Sequence, residues 1–132
     1  MIVRVIDASA LVLAVASTGA QADALRDRLP GWRLSAPHLI DAEFGSVIRR
    51  HERAGLLSPE QALTTLRATP ALIADRYPHT GPVAESAWAL RANLTFYDAL
   101  YVALAEHLRV PLVTADARLA NAPGLRCDIE LV

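Results

Sequence analysis

The chain opens on a β-branched, apolar run, Ile2-Val3-Arg4-Val5-Ile6, that stops at Asp7 and gives way to a helical stretch from Ala10 to Ala16. The pattern predicts a buried strand turning tightly into a helix, with an acid at the junction. Ala22, Leu25 and Leu29 recur at helical spacing and predict a second helix over 22–29, ended by Pro30-Gly31. A short strand, Trp32 to Ala36, is expected next. Pro37 is expected to open a third helix with an apolar stripe of Leu39, Ile40, Phe44, Val47 and Ile48, closing near Gly55 behind Arg49, Arg50 and Arg53.

Ser58-Pro59-Glu60-Gln61 reads as an N-cap, a proline at the first helical position and a glutamine at the third, predicting a helix from Pro59 to about Thr69. Leu72 to Tyr77 is ambiguous between helix and strand. Pro78 and Gly81 bracket a turn before a helix over about 82–92, with Asn93 as its expected left-handed C-cap. Thr95 caps the next helix, Phe96 to Leu108, which is apolar almost all round and is therefore central to the fold. Pro111 to Thr114 predicts a strand, Ala117 to Ala120 a short helix, and Ile129 to Val132 a last strand, edge or central. Short apolar strands alternating with helices predict an α/β fold with a mostly parallel sheet. Ligands of such sheets bind at the carboxyl ends of the strands, and Asp7 and Asp116 both fall just past such an end.

Composition narrows the reading. With 132 residues, 53% of them hydrophobic, the chain suits one domain over 1–132 with one core. No apolar run reaches the roughly 18 to 20 residues of a membrane span, and Asp7 interrupts the start where a signal peptide needs an apolar stretch, so a cytoplasmic protein is expected. Cys127 is the single cysteine, which leaves no intrachain disulfide and no thiolate cluster for zinc; it is read as a passive thiol. His38, His51, His79 and His107 show no spacing of a zinc pair. A net charge of -1 excludes a broadly basic surface, so any nucleic-acid contact must be local. All thirteen basic residues are arginine, whose planar fork suits phosphate and carboxylate.

Four acids stand out. Glu43 belongs to the apolar stripe of its helix, and Asp98 is the single ionisable group between Phe96 and Ala105 apart from two tyrosines. Unpaired charge in such surroundings is costly. Each acid has a local alternative: Asp7 as a helix cap, Asp98 in a capping box with Thr95, Glu43 paired with a core arginine such as Arg91, Asp116 opening the turn into 117–120. A hard divalent cation such as Mg²⁺ accounts for Asp7, Glu43, Asp98 and Asp116 together, since it takes oxygen ligands. Such a site suits phosphodiester hydrolysis, where the ion offsets charge on the attacking and leaving oxygens. Ser9 and Thr114, each two residues from a strand-end acid, are candidates to hold a metal-bound water; Arg91 and Arg118 are candidates for phosphate contacts. Removing the charge of Asp7 is expected to stabilise the metal-free chain.

The segments Val5-Ile6-Asp7-Ala8-Ser9, Ala42-Glu43-Phe44, Tyr97-Asp98-Ala99-Leu100-Tyr101-Val102-Ala103-Leu104-Ala105-Glu106 and Pro111-Leu112-Val113-Thr114-Ala115-Asp116 resemble those of a PIN domain, in particular the toxin ribonucleases of VapBC-type toxin–antitoxin pairs. The likeness runs through nearly the whole chain. It implies an α/β/α sandwich with a mostly parallel central sheet and a Mg²⁺- or Mn²⁺-dependent endoribonuclease acting on structured RNA such as transfer or ribosomal RNA. It also implies a VapB-type antitoxin partner, DNA contact only through that antitoxin, and a homodimer. The acidic quartet implied is Asp7, Glu43, Asp98 and Asp116, with Thr114 as the hydroxyl before the last acid. A receiver domain is disfavoured because the chain has no lysine, and a dinucleotide-binding turn because no glycine follows the first strand. The remaining alternative is a non-catalytic PIN-like binding module in a regulatory complex.

Overall fold

Five strands alternate with seven α-helices in the computed structural model, which describes residues 1–132: β1 (Ile2–Ile6), α1 (Ala8–Ala16), α2 (Ala20–Arg28), β2 (Trp32–Pro37), α3 (Leu39–Arg53), α4 (Pro59–Ala68), β3 (Ile73–Tyr77), α5 (Pro82–Ala89), α6 (Phe96–Leu108), β4 (Leu112–Thr114), α7 (Ala117–Ala120) and β5 (Ile129–Leu131). All strand pairings are parallel, in the order β3-β2-β1-β4-β5. Helices pack against the sheet as an α/β/α sandwich. Because crossovers between parallel strands are right-handed, this order puts α1 to α4 over one face and, after the chain reverses its direction across the sheet, α5 and α6 over the other; the packing of α1 on α3, α3 on α4 and α5 on α6 agrees. No single helix is long and apolar enough to cross a membrane.

The strand order reverses between β1 and β4, where crossovers leave in opposite directions and open a crevice at the carboxyl ends of the strands. The register fixes that place: Ile6 lies beside Val113, so the residues that follow β1 and β4 emerge together. Val5, Ile6, Leu112 and Val113 are fully buried beneath them. Helix α6 explains its own sequence, because every residue from Ala99 to Ala105 is buried, and a leucine fully removed from water stabilises by roughly 1.5–3 kcal/mol.

Several elements follow their local signals. Ser58 and Gln61 form the complete capping box of α4, and Thr95 caps α6 by accepting from the Asp98 N–H. The ambiguous 72–77 stretch is β3, an edge strand beside β2, and β5 is the opposite edge. Two expectations are corrected. Pro37 does not open α3 but ends β2, opposite Tyr77; β2 has already finished pairing with β1 at Ser35, so the absent proline N–H interrupts no ladder there. Asn93 is not a left-handed cap: α5 stops at Ala89, and successive turn bonds from Leu90, Arg91 and Asn93 satisfy the last carbonyls without one. The one non-glycine residue with positive φ is Arg109 at φ 56, which closes α6.

Candidate active site

The turn after β1 places Asp7 at the N-terminus of α1, where its carboxylate accepts from the Ala10 N–H at 3.0 Å. The side chain is only 5% exposed, so its remaining acceptor sites need partners from the fold. Two hydroxyls provide them. Ser9 Oγ donates to Oδ1 at 2.6 Å, and Thr114 Oγ1, at the end of β4, donates to Oδ2. Each hydroxyl in turn accepts a backbone N–H of the β4–α7 turn, Ser9 from Ala115 and Thr114 from Asp116, both at 3.0 Å. The hydroxyls that the sequence allotted to a bound water are thus donated to Asp7, and they lock the two strand-end turns together. Burial pushes the Asp7 carboxyl above its ordinary range; these bonds partly offset that, and the negative charge of Asp98 adds to it.

Glu43 lies on the face of α3 directed towards α6, beside Ile40 and Phe44 in the core. Tyr101 Oη donates to Glu43 Oε1 at 2.6 Å across the gap between the two helices. Burial raises the Glu43 pKa, the Tyr101 bond counters it, and the charges of Asp98 and Asp7 raise it further. The Asp98 carboxyl, one turn before Tyr101 on α6, is also raised, by burial first and by the charge of Asp116. Glu43 feels Asp7 and Asp98; Asp98 feels Asp116. Asp7, Glu43 and Asp98 thus lie within electrostatic reach of one another, with Asp116 in reach of Asp98, although the four acids come from four elements.

Asp116 differs from the other three. It caps α7 by accepting from the Arg118 N–H at 2.9 Å, and the Arg118 guanidinium holds its Oδ2 at 3.0 Å. That pairing keeps the Asp116 carboxyl below its ordinary range. As the side chains stand, no three of the acids come close enough to surround one cation. The local alternatives of the sequence reading are in part realised here: Asp7 and Asp116 are both helix caps and both members of the cluster. Glu43 takes Tyr101 instead of an arginine. Arg91 is placed on the Trp88 ring, 4.8 Å from its centroid, and bonds the Trp88 carbonyl.

Tyr101 is the residue the sequence reading passed over. Its signal was a phenol in an otherwise apolar helix, since a buried tyrosine hydroxyl needs a partner. Its partner lies 58 residues away in the chain, so the pairing is visible only in three dimensions. Burial and the Glu43 carboxylate push the Tyr101 pKa far up, which makes it a hydrogen-bond donor throughout the accessible pH range. Cys127 is partly buried and its thiol is pushed up to about 11, in keeping with a passive role.

Comparison with known proteins agrees with this architecture. The chain is 54% identical to "Ribonuclease VapC1" of Mycobacterium tuberculosis (strain H37Rv) over 97% of its own length and 96% of that protein's. It is 44% identical to "Ribonuclease VapC9" of the same organism, over 97% of each chain. Among solved structures, PAE2754 from Pyrobaculum aerophilum superposes with a TM-score of 0.68 at 27% identity, covering 90% of this chain and 83% of that one. Residues 4–125 match the PIN domain family, and the chain belongs to that family, as a close relative of the VapC proteins.

Proposed function

We propose that this chain is a Mg²⁺-dependent endoribonuclease and the toxin of a type II toxin–antitoxin pair, cleaving structured RNA by hydrolysis of a phosphodiester bond. The observation that carries the reading is the placement of Asp7, Glu43 and Asp98 near one another at the strand-order reversal, each carboxyl pushed up first by burial and then by a neighbouring acid. All three carboxyls are raised in pKa; Asp7 and Glu43 have no basic group facing them, and Asp98 has only the exposed Arg118, which is already paired with Asp116. Their hard oxygen donors suit Mg²⁺, with Mn²⁺ as a substitute. The relatives named as ribonucleases share the chain over almost its full length.

Asp7, Glu43, Asp98 and Asp116 are the residues we assign to the ion, with Ser9 and Thr114 orienting Asp7. When bound, the ion supplies positive charge that draws in the phosphate and stabilises the transition state. The chain's own groups do the rest. Ser9, Thr114 and the Ala10 N–H fix the Asp7 carboxylate, so it enters the reaction already oriented. Tyr101 holds Glu43 Oε1 and leaves Oε2 to orient the attacking water and take its proton; a raised pKa brings that acceptor nearer to the working pH. Arg118, 89% exposed, is free to exchange Asp116 for a substrate phosphate.

By the same reading the partner is a VapB-type antitoxin that covers the crevice, the toxin forms a homodimer, and promoter DNA is touched through the antitoxin. The antitoxin partner is supported by VapBC2 from Rickettsia felis, a structure of the same fold solved bound to a DNA fragment from its promoter. The Asp116–Arg118 pair favours a second reading, in which the crevice is closed by its own arginine and the chain is a non-catalytic binding module. The deciding experiment is cleavage of RNA by the purified, antitoxin-free chain. Activity in Mg²⁺ that disappears with EDTA and in Asp98→Asn is expected; equal cleavage by the variant would reject the assigned site, and no cleavage by the parent would leave the binding module.

A further inference from the structure

A groove of about 410 Å³ runs from Glu43 along α3, within the size range of ligand clefts. Its lining combines the apolar Leu39 and Val47 with Glu43 and Arg50 of α3 and with Tyr97 at the start of α6. Glu43, Val47 and Arg50 follow one another at helical spacing on one face, so Arg50 lies about 10 Å along the α3 axis from the acid cluster.

Two features of this groove have no structural occupation. The Tyr97 ring is 57% exposed, although the same helix is buried from Ala99 onwards, and its hydroxyl has no partner. Arg50, the one basic residue lining the groove, forms no ion pair, and its single side-chain bond is to Ser46 Oγ at 3.4 Å. An uncompensated guanidinium and a bare aromatic face, adjoining a site that handles phosphate, match the two parts of a nucleotide. Single-stranded RNA is held in this way, its bases stacked on aromatic rings and its phosphates met by arginine.

We infer that the α3–α6 groove is a subsite for single-stranded RNA flanking the cleaved bond, in which Tyr97 stacks on a base and Arg50 binds the phosphate beyond it. The inference rests on the nuclease reading and adds where the substrate strand leaves the acid cluster. It makes Tyr97 and Arg50 determinants of binding, and the unpaired strand the form of RNA that reaches the acids.

The test uses the full chain and a 5′-fluorescein oligoribonucleotide of mixed sequence. Binding is read by fluorescence anisotropy in EDTA, and KM and kcat are read in Mg²⁺. Tyr97→Ala is expected to weaken binding roughly tenfold and raise KM with kcat little changed, and Tyr97→Phe to restore most of the loss because the ring is kept. Arg50→Gln is expected to weaken binding and to flatten the dependence of log K on log salt by about 0.7, the share of one phosphate on a single strand. Unchanged binding, salt slope and KM in both variants, with the parent still cleaving, would overturn the subsite while leaving the nuclease intact. A parent that neither binds nor cleaves the oligonucleotide would overturn both. Variants that bind RNA normally but fail to retain a protein that copurifies with the parent would overturn the subsite in favour of a protein-docking groove.

Discussion

Tyr101 Oη and Glu43 Oε1 lie 2.6 Å apart and join α6 to α3 through a hydrogen bond between a buried phenol and a carboxylate. The bond fixes one oxygen of Glu43 and lowers the cost of ionising it where burial and two neighbouring acids oppose ionisation. Both consequences can be measured.

Tyr101→Phe removes the donor and leaves the ring. The Glu43 pKa is then expected to rise further, moving the acidic limb of the pH–rate profile to higher pH and lowering kcat more than it changes KM. Stability should fall by about 1 kcal/mol, the usual net worth of such a bond. An unaltered pH profile would show that the phenol does not position Glu43.

The metal-free protein should gain stability when Asp98 loses its charge. The folded-state pKa of Asp98 is raised, so the native chain binds protons more tightly than the unfolded one, and stability from this group falls as pH rises from the ordinary 3.8 through the raised value. Asp98→Asn should therefore melt at a higher temperature than the parent at pH 7, with the difference shrinking towards pH 3. Thermal unfolding in EDTA across that range checks it; a difference independent of pH would show that burial and the neighbouring Asp116 do not raise the Asp98 carboxyl.

Asp7→Asn is expected to do the reverse of what charge removal alone predicts. Asp7 is also buried and raised, but its two oxygens receive the Ser9 hydroxyl, the Thr114 hydroxyl and the Ala10 N–H. An amide turns an NH₂ towards one of these donors, and an unsatisfied buried group costs about 1–3 kcal/mol. Thr114→Val should destabilise by a similar amount, because it strips a donor from Asp7 and an acceptor from the Asp116 N–H. Equal or raised melting temperatures for both variants in EDTA would show that this knot is not stabilising.

Addition of Mg²⁺ should raise the melting temperature of the parent, by an amount equivalent to about 2.7 kcal/mol at a hundred times the dissociation constant. Asp98→Asn should lose most of that response. Arg118→Ala should respond at lower Mg²⁺ concentration, since Asp116 no longer has a competing guanidinium. Because Arg118 is almost fully exposed, its removal should leave the metal-free melting temperature unchanged. A parent unaffected by Mg²⁺ would remove the ion from the proposal.

Much of this architecture was legible in local pattern. The strand-helix alternation, the Ser58 and Thr95 caps and the all-apolar α6 depend on neighbours within a few residues, and each appears where the pattern puts it. The two misread punctuation marks, Pro37 and Asn93, are residues whose φ preference suits more than one context, so the strand register and the turn bonds around them decided.

The sequence by itself determined which acids stand in costly places: Asp7 and Asp116 past the ends of apolar strands, Glu43 and Asp98 on apolar helix faces. Burial follows from periodicity, and a carboxylate in a buried stripe is visible as an anomaly without coordinates. Only the tertiary structure decided how each charge is met, because hydrogen bonds and ion pairs depend on ångström distances between groups far apart in the chain. It joined Asp7 to Thr114 and Glu43 to Tyr101, turned Arg118 onto Asp116, and left Arg50 without a carboxylate and the Tyr97 hydroxyl without a partner.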